Sequence, residues 1–320
     1  MNFHGKDIKI FTGSSNVAVA QGIAGCLGLP LGNCECKKFS DGEISVSINE
    51  SVRGSECFIV QSTCTPVNDN LMEMLIMIDA MKRASAARIT AVMPYFGYAR
   101  QDRKAKPRDP ISSKLCADLI TAAGADRLLT MDLHANQIQG FFNIPVDHLQ
   151  GAGILANHMK EKVGSHADEY VVVSPDLGSV TRARNFASKI GTALAIIDKR
   201  RPKANVSEVM NIIGDVKGKK VIILDDMIDT AGTLCNGAKA IVEVGGATEV
   251  YACATHAVLS GPAIERIKNS VIKELVLLDT VPLTEEKKLD KFTVLPTAPI
   301  FAEAIARIYN DKPFTAAFGG

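Results

Sequence analysis

Residues 221–233, VIILDDMIDTAGT, join an apolar, β-branched run to two adjacent carboxylates, Asp225 and Asp226. A turn of small and hydroxyl-bearing residues follows: Asp229, Thr230, Ala231, Gly232 and Thr233. If the run is a parallel strand and the turn opens a helix, backbone N–H groups and threonine hydroxyls converge there on an anion, helped by the positive end of the helix dipole. The carboxylates just before the turn can accept hydrogen bonds from vicinal sugar hydroxyls. Phosphate plus diol is the chemistry of a ribose phosphate. A capped helix beside two solvated aspartates would account for each part separately, but strand, acid pair and turn occur together, which favours a cradle.

A second segment carries positive charge. Lys199, Arg200, Arg201 and Lys203 follow the run ALAIID, in a stretch rich in Pro, Asn and Ser that reads as a loop able to close over phosphates. A charge run is ordinarily a solvated loop; the neighbouring cradle gives this one a use, electrostatic stabilisation of charge on phosphate oxygens. Asp132 and His134 end the run RLLTMDLH, where strand alternation puts both on one side, within reach of a cation or a water. Magnesium prefers oxygen and keeps several waters, so by residue type alone His134 reads equally as a hydrogen-bonded histidine at a strand end. Asp176 follows another apolar run, YVVVSP, where the simple reading is a helix N-cap.

These residues need a scaffold. Short apolar runs at 8–13, 57–62, 88–96, 127–134, 170–175, 193–198, 220–226, 249–256 and 274–280 alternate with longer stretches of helical period, the rhythm of an α/β protein with parallel sheets. Asn68, Asp69 and Asn70 offer caps to a helix whose apolar face is Leu71, Met74, Leu75 and Ile78. Asp41-Gly42 in KKFSDGEISVSI is a hairpin turn. A weak internal repeat pairs CFIVQSTCTPVNDNL and AARITAVMPYF with KVIILDDMIDTAGTL and GATEVYACATH, as two related domains would. The Pro- and Gly-bearing stretch 141–152 is the expected boundary, giving domains 1–147 and 148–320.

Composition limits the alternatives. At 320 residues the chain is long enough for two cores. Its 36 Lys and Arg balance 35 Asp and Glu, so there is no global basicity for nucleic acid and any anion site must be local. The absence of Trp also argues against a base-stacking platform. Eight Cys at irregular spacing, with Cys34 and Cys36 one residue apart, do not match a zinc knuckle and read as reduced, mostly buried thiols. No signal-like or membrane-length apolar run appears, so a soluble, cytoplasmic protein without a membrane partner is expected.

The 221–233 segment resembles the phosphoribosyl-diphosphate binding motif of the phosphoribosyltransferase fold. Together with FSDGE (39–43), MPYFGYARQDR (93–103) and DKRRPKANVSEVMNIIGDV (198–216), the chain resembles over nearly its whole length the bacterial hexameric class of ribose-phosphate diphosphokinases. The resemblance implies two tandem phosphoribosyltransferase-like α/β domains, each a largely parallel sheet flanked by helices, with the ATP side in the first and the ribose 5-phosphate side in the second. It implies transfer of the diphosphoryl group of ATP to the C1 hydroxyl of ribose 5-phosphate, giving AMP and phosphoribosyl diphosphate for nucleotide biosynthesis. Lys199 and Arg201 would be catalytic. Arg100 and Gln101, beside Tyr98 and Asp102, would contact ATP, and Phe39, Asp41 and Glu43 would do so from a neighbouring subunit of a homohexamer. Asp225, Asp226, Asp229, Thr230, Ala231, Gly232 and Thr233 would bind ribose 5-phosphate, and His134 and Asp176 would be linked to Mg²⁺. Phosphate and ADP are the implied effectors. Ala231 stands where many relatives have a second Gly, and is strained if that residue needs positive φ. A nucleobase phosphoribosyltransferase would share the cradle but consume the diphosphate, and the ATP-side segments argue against it. A non-catalytic regulatory relative would have no need of intact Lys199, Arg201 and His134.

Overall fold

The computed structural model describes residues 7–200 and 209–314. The chain forms two compact units, 1–150 with 280–282 and 296–320, and 151–279 with 283–295. The first unit runs β1 (Ile8–Thr12), α1 (Val17–Leu27), β2 (Cys34–Lys38), β3 (Ile44–Ile48), β4 (Glu56–Val60), α2 (Val67–Arg83), β5 (Arg88–Met93), α3 (Ser112–Ala123), β6 (Arg127–Met131) and β7 (Val146–Leu149). The second runs α4 (Ala152–Val163), β8 (Tyr170–Ser174), α5 (Val180–Ile190), β9 (Ala193–Arg200), β10 (Val209–Ile213), β11 (Lys220–Ile228), α6 (Gly232–Glu243), β12 (Glu249–Ala257), α7 (Ala263–Lys268), β13 (Ile272–Leu278) and β14 (Phe292–Leu295). The last helix, α8 (Ala298–Tyr309), belongs to the first unit.

The first sheet is parallel throughout in the order β1-β4-β5-β6-β7. The strands β4 and β8 are buried along their whole length, the signature of parallel sheets covered on both faces, and this is why they are apolar apart from Glu56 and Ser174. One face of the first sheet packs Phe11, Ile59 and Met93 against Met74, Ile78 and Met81 of α2. The second sheet has the order β10-β9-β8-β11-β12-β13-β14, parallel except for β10, which runs antiparallel to β9. Both sheets are α/β layers, and the internal repeat falls on matching β-α-β units, β4-α2-β5 and β11-α6-β12.

Three expectations shift. The helix α2 starts at Val67, so Asn68, Asp69 and Asn70 lie within its first turn rather than capping it. Its buried face is Asn70, Glu73, Met74, Met77, Ile78 and Met81, with Leu71 and Leu75 at the margin. The chain does not divide into contiguous halves either, because residues 280–282 and 296–314, expected in the second half, pack in the first unit. There α8 lies on α1 so closely that a Cβ on Gly22 would sit 2.7 Å from the Ala298 Cβ. Phe301 and Ile305 are fully buried, each worth about 1.5–3 kcal/mol of apolar burial. Finally, Lys199 and Arg200 are paired strand residues, with Arg200 opposite Val209 and Lys199 opposite Met210, so β9 runs through both.

Candidate active site

The second sheet reverses its strand order between β8 and β11: from β8 the chain steps outward to β9, then returns to the other side at β11. Such a switch point leaves a crevice at the carboxyl ends of the two strands. Here β8 pairs with β11 only from Lys220 to Ile223, while β12 follows β11 as far as Ile228. The strand therefore continues through the acid pair rather than ending at it. Asp225 is half-buried and Asp226 is buried, on a stretch flanked by β12 on one side and by the β8–α5 turn on the other.

The two carboxylates differ in their surroundings. Asp225 Oδ1 accepts a hydrogen bond from the Asp226 N–H at 2.9 Å. Burial, then the negative charge of Asp226, holds the Asp225 carboxyl well above the usual carboxylate range, and Asp176 adds to the repulsion. Asp226 instead faces Arg182 of α5, whose Nη1 lies 3.4 Å from its Oδ1. Asp176 is exposed and bonded locally: its Oδ1 accepts from the Ser179 N–H at 2.9 Å, and its carbonyl accepts from Ser174 Oγ at 2.7 Å. It braces the turn before α5, with Ser179 rather than Asp176 in the cap position.

The turn after β11 presents the exposed Thr230 and Thr233 and the buried Ala231 to the start of α6. The residue before that helix makes no side-chain cap hydrogen bond, and an uncapped helix start leaves its first amides available to an anion. Ala231 has φ 58° and ψ 6°, the left-handed conformation that a Cβ makes unfavourable by roughly 1–2 kcal/mol. Leu259 and Ser260 amides hold the carbonyls of Ile228 and Asp229 at 2.9 and 3.0 Å. Arg266 of α7 donates from Nη1 to the Thr230 carbonyl at 3.0 Å, and the same nitrogen would lie 3.3 Å from a Cβ placed on Gly232. Arg182 and Arg266 escaped the sequence reading because arginines on short amphipathic helices look like solvent-facing charge. Lys199 is placed by its backbone in β9, and Arg201 lies outside the described residues.

The first unit assembles the other motifs. The strands β2 and β3 form the expected antiparallel hairpin, closed by Phe39 N–H to Glu43 carbonyl at 2.8 Å and Gly42 N–H to Phe39 carbonyl at 2.9 Å. Gly42 supplies φ 96°, and the Glu43 N–H reaches Asp41 Oδ1 at 3.1 Å. Phe39 stands 58% exposed at the tip, an apolar ring left facing outward. After β5 the chain passes Gly97, where a Cβ would meet the Thr63 carbonyl at 2.4 Å, and turns through Tyr98 at φ 62° into the exposed Arg100 and Gln101. Both segments are tied to the first turn of α2. Lys38 pairs with Asp69 at 2.5 Å, and the Tyr98 hydroxyl hydrogen-bonds Asn68. Asp102 accepts from Gln137 Nε2 at 2.7 Å.

His134 is exposed in the turn that follows β6. The expected side-by-side placement of Asp132 and His134 on a strand does not hold. The strand stops at Met131 and Asp132 takes φ 39°, which ends the two-residue alternation. Among the described residues no three His, Cys, Asp or Glu side chains gather as a metal cluster. His134 and Asp176 belong to different units.

Two family models match the chain. A family model described as the N-terminal domain of ribose phosphate pyrophosphokinase matches residues 8–124, and one described as the phosphoribosyl synthetase-associated domain matches residues 199–318. The ribose-phosphate pyrophosphokinase of Clostridium perfringens is 66% identical over 318 residues, 99% of each chain, and that of Caldanaerobacter subterraneus is 67% identical over 311 residues, 97% of this chain and 98% of the relative. The crystal structure of phosphoribosylpyrophosphate synthetase from Mycobacterium smegmatis superposes with a TM-score of 0.90 at 43% identity, covering 96% of this chain and all of the other. With sequence matched end to end and both sheets shared, the chain belongs to the ribose-phosphate pyrophosphokinase family.

Proposed function

We propose that the chain transfers the diphosphoryl group of ATP to ribose 5-phosphate. The C1 hydroxyl oxygen attacks the β-phosphorus, the bond from that phosphorus to the oxygen bridging to the α-phosphate breaks, AMP leaves, and the hydroxyl proton passes to solvent. The observation that supports this reading is the β8/β11 switch point, where β11 carries the acid pair and leads through a hydroxyl-bearing turn into the uncapped start of α6. The 5-phosphate sits on the 229–233 turn, and Asp225 and Asp226 receive the ribose hydroxyls. Burial raises the free energy of the Asp225 carboxylate, so hydrogen bonds from a diol are worth more there than in water.

On the nucleotide side, Arg100 and Gln101 contact ATP from the turn after β5. The planar guanidinium can stack on adenine or grip phosphate. Phe39, Asp41 and Glu43 contact ATP of a neighbouring subunit in a homohexamer, a role suited to an exposed apolar tip. Lys199 and Arg201 stabilise the charge that spreads over the phosphate oxygens as the diphosphoryl group moves. Phosphate and ADP act as effectors.

Magnesium fits the oxygen donors present, since it takes few protein ligands and retains water and phosphate oxygens. Asp176 would offer such an ion a carboxylate oxygen, and His134 would offer one a ring nitrogen; when bound, magnesium offsets phosphate charge. No helix among the described residues is long and apolar enough to cross a membrane, in keeping with a cytoplasmic enzyme. The test is direct: incubated with Mg²⁺, ATP and ribose 5-phosphate, the chain should yield AMP and phosphoribosyl diphosphate. ADP as the nucleotide product would mean γ-phosphoryl transfer and would overturn the assignment.

A further inference from the structure

A cluster of sulfur atoms lies beneath the hairpin, apart from every residue assigned above to a substrate. In β2 the side chains alternate, so Cys34 and Cys36 share one face while Glu35 and Lys37 share the other, where they pair at 2.6 Å. The cysteine face packs on the core beneath it. There Cys34 Sγ donates to the Thr12 carbonyl at 3.4 Å. Cys36 Sγ also lies 4.0 Å from Sδ of Met77, which is fully buried on α2.

Two thiols and a thioether, all half-buried or buried, make a donor set with no imidazole. Zinc requires four donors and is ruled out as a closed site, since no third His, Cys, Asp or Glu joins the pair among the described residues. A disulfide is also a poor outcome. Residues two apart on a strand have Cα atoms about 6.7 Å apart, at the long limit for that bond. A bridging ion allows a wider sulfur separation. Soft sulfur donors in low number select a monovalent d¹⁰ ion over hard or borderline divalent ones.

We propose that Cys34, Cys36 and Met77 form a binding site for one soft monovalent cation of the Cu(I) class. Two thiols release their protons to solvent, two sulfur–metal bonds form, the thioether adds a weaker third, and no redox change is involved. Occupancy ties β2 to α2, immediately before the Phe39–Glu43 loop.

The experiment uses the full reduced chain without oxygen, with Cys26 and Cys235 replaced by Ser to remove the accessible single thiols, and titrates Cu(I) against a chromogenic Cu(I) chelator. One equivalent should bind, with a sulfur-only shell in the X-ray absorption spectrum. Cys34→Ser and Cys36→Ser should each lower affinity by more than about 100-fold, and Met77→Leu by about tenfold, the scale of losing a supporting partner. Undiminished uptake by the Cys34→Ser/Cys36→Ser double variant would overturn the proposal. So would nitrogen or oxygen ligands in the spectrum of the protein with its sulfur cluster intact, a result that does not depend on any cluster variant folding.

Discussion

Asp225→Asn should make the protein more stable and a worse enzyme, and both effects follow from the same carboxylate. In the wild type Asp225 is half-buried beside Asp226, and the available guanidinium, Arg182, faces Asp226. Burial and like charge hold the Asp225 carboxyl well above its usual 3.8, which means that ionising it in the folded state opposes folding. The sign is fixed by linkage. Above about pH 4 the unfolded chain gives up this proton more readily than the folded one, so wild-type stability falls as pH rises from there through the folded value. Each tenfold increase in the folded state's hold on the proton is worth about 1.4 kcal/mol at neutral pH. About 1 kcal/mol moves the Tm of a domain of 150–250 residues by roughly 2–4 °C. Asparagine is nearly isosteric, and its Oδ1 can keep the 2.9 Å bond from the Asp226 N–H. The substitution should therefore raise Tm by about 3 °C or more at pH 7.5, and the gain should fade toward about pH 4, where the wild-type side chain is also neutral.

The functional half of the prediction has its own scale. A hydrogen bond to a charged acceptor is worth about 1.5–3 kcal/mol, so kcat/KM for ribose 5-phosphate should fall by about 10- to 100-fold. With a substrate analogue lacking the ring hydroxyls the penalty should shrink, because the partner is already missing. Scanning calorimetry at the two pH values and steady-state kinetics with both substrates decide the matter. A Tm at pH 7.5 that is unchanged or lowered would refute the electrostatic account of Asp225. Equal kinetic losses with substrate and analogue would refute its contact with the sugar.

Three further outcomes are expected. Ala231→Gly relieves a left-handed backbone and should stabilise the fold by about 1 kcal/mol, read as an upward shift in denaturant midpoint, with KM for ribose 5-phosphate unchanged. Lys199→Ala should lower kcat by about 100-fold or more with little change in Tm, whereas near-normal kcat with a raised KM would reassign Lys199 to ground-state binding. Glu43→Ala and Lys199→Ala, separately inactive, should regain part of the activity when unfolded and refolded together; mixed oligomers no more active than the sum of the parents would mean that the hairpin serves its own chain.

The residues whose roles could be read from sequence are those whose local chain already dictates geometry. The hairpin at Asp41-Gly42 needs a turn of its own making, and the 170–174 run, apolar at every position but its last, has nowhere to sit except between two helical layers. What resisted reading depends on partners far along the chain. Asn68, Asp69 and Asn70 look like caps because their side chains compete for backbone groups. In the fold those side chains are committed elsewhere: Asn70 donates to the Cys64 carbonyl at 2.8 Å, Asp69 holds Lys38 and Asn68 holds Tyr98, so α2 begins before them. The β11 strand outlasts its acid pair because β12 keeps pairing after β8 has stopped, and no local pattern states where a neighbour ends. The helix α8 is the extreme case. Its apolar stripe announces that it must be covered but not by what, and its partner α1 lies at the opposite end of the chain. A cut at 147 would therefore strip α1 of the surface that Phe301 and Ile305 complete. The contiguous division suggested by the repeat follows the two β-α-β units, not the units that hold together.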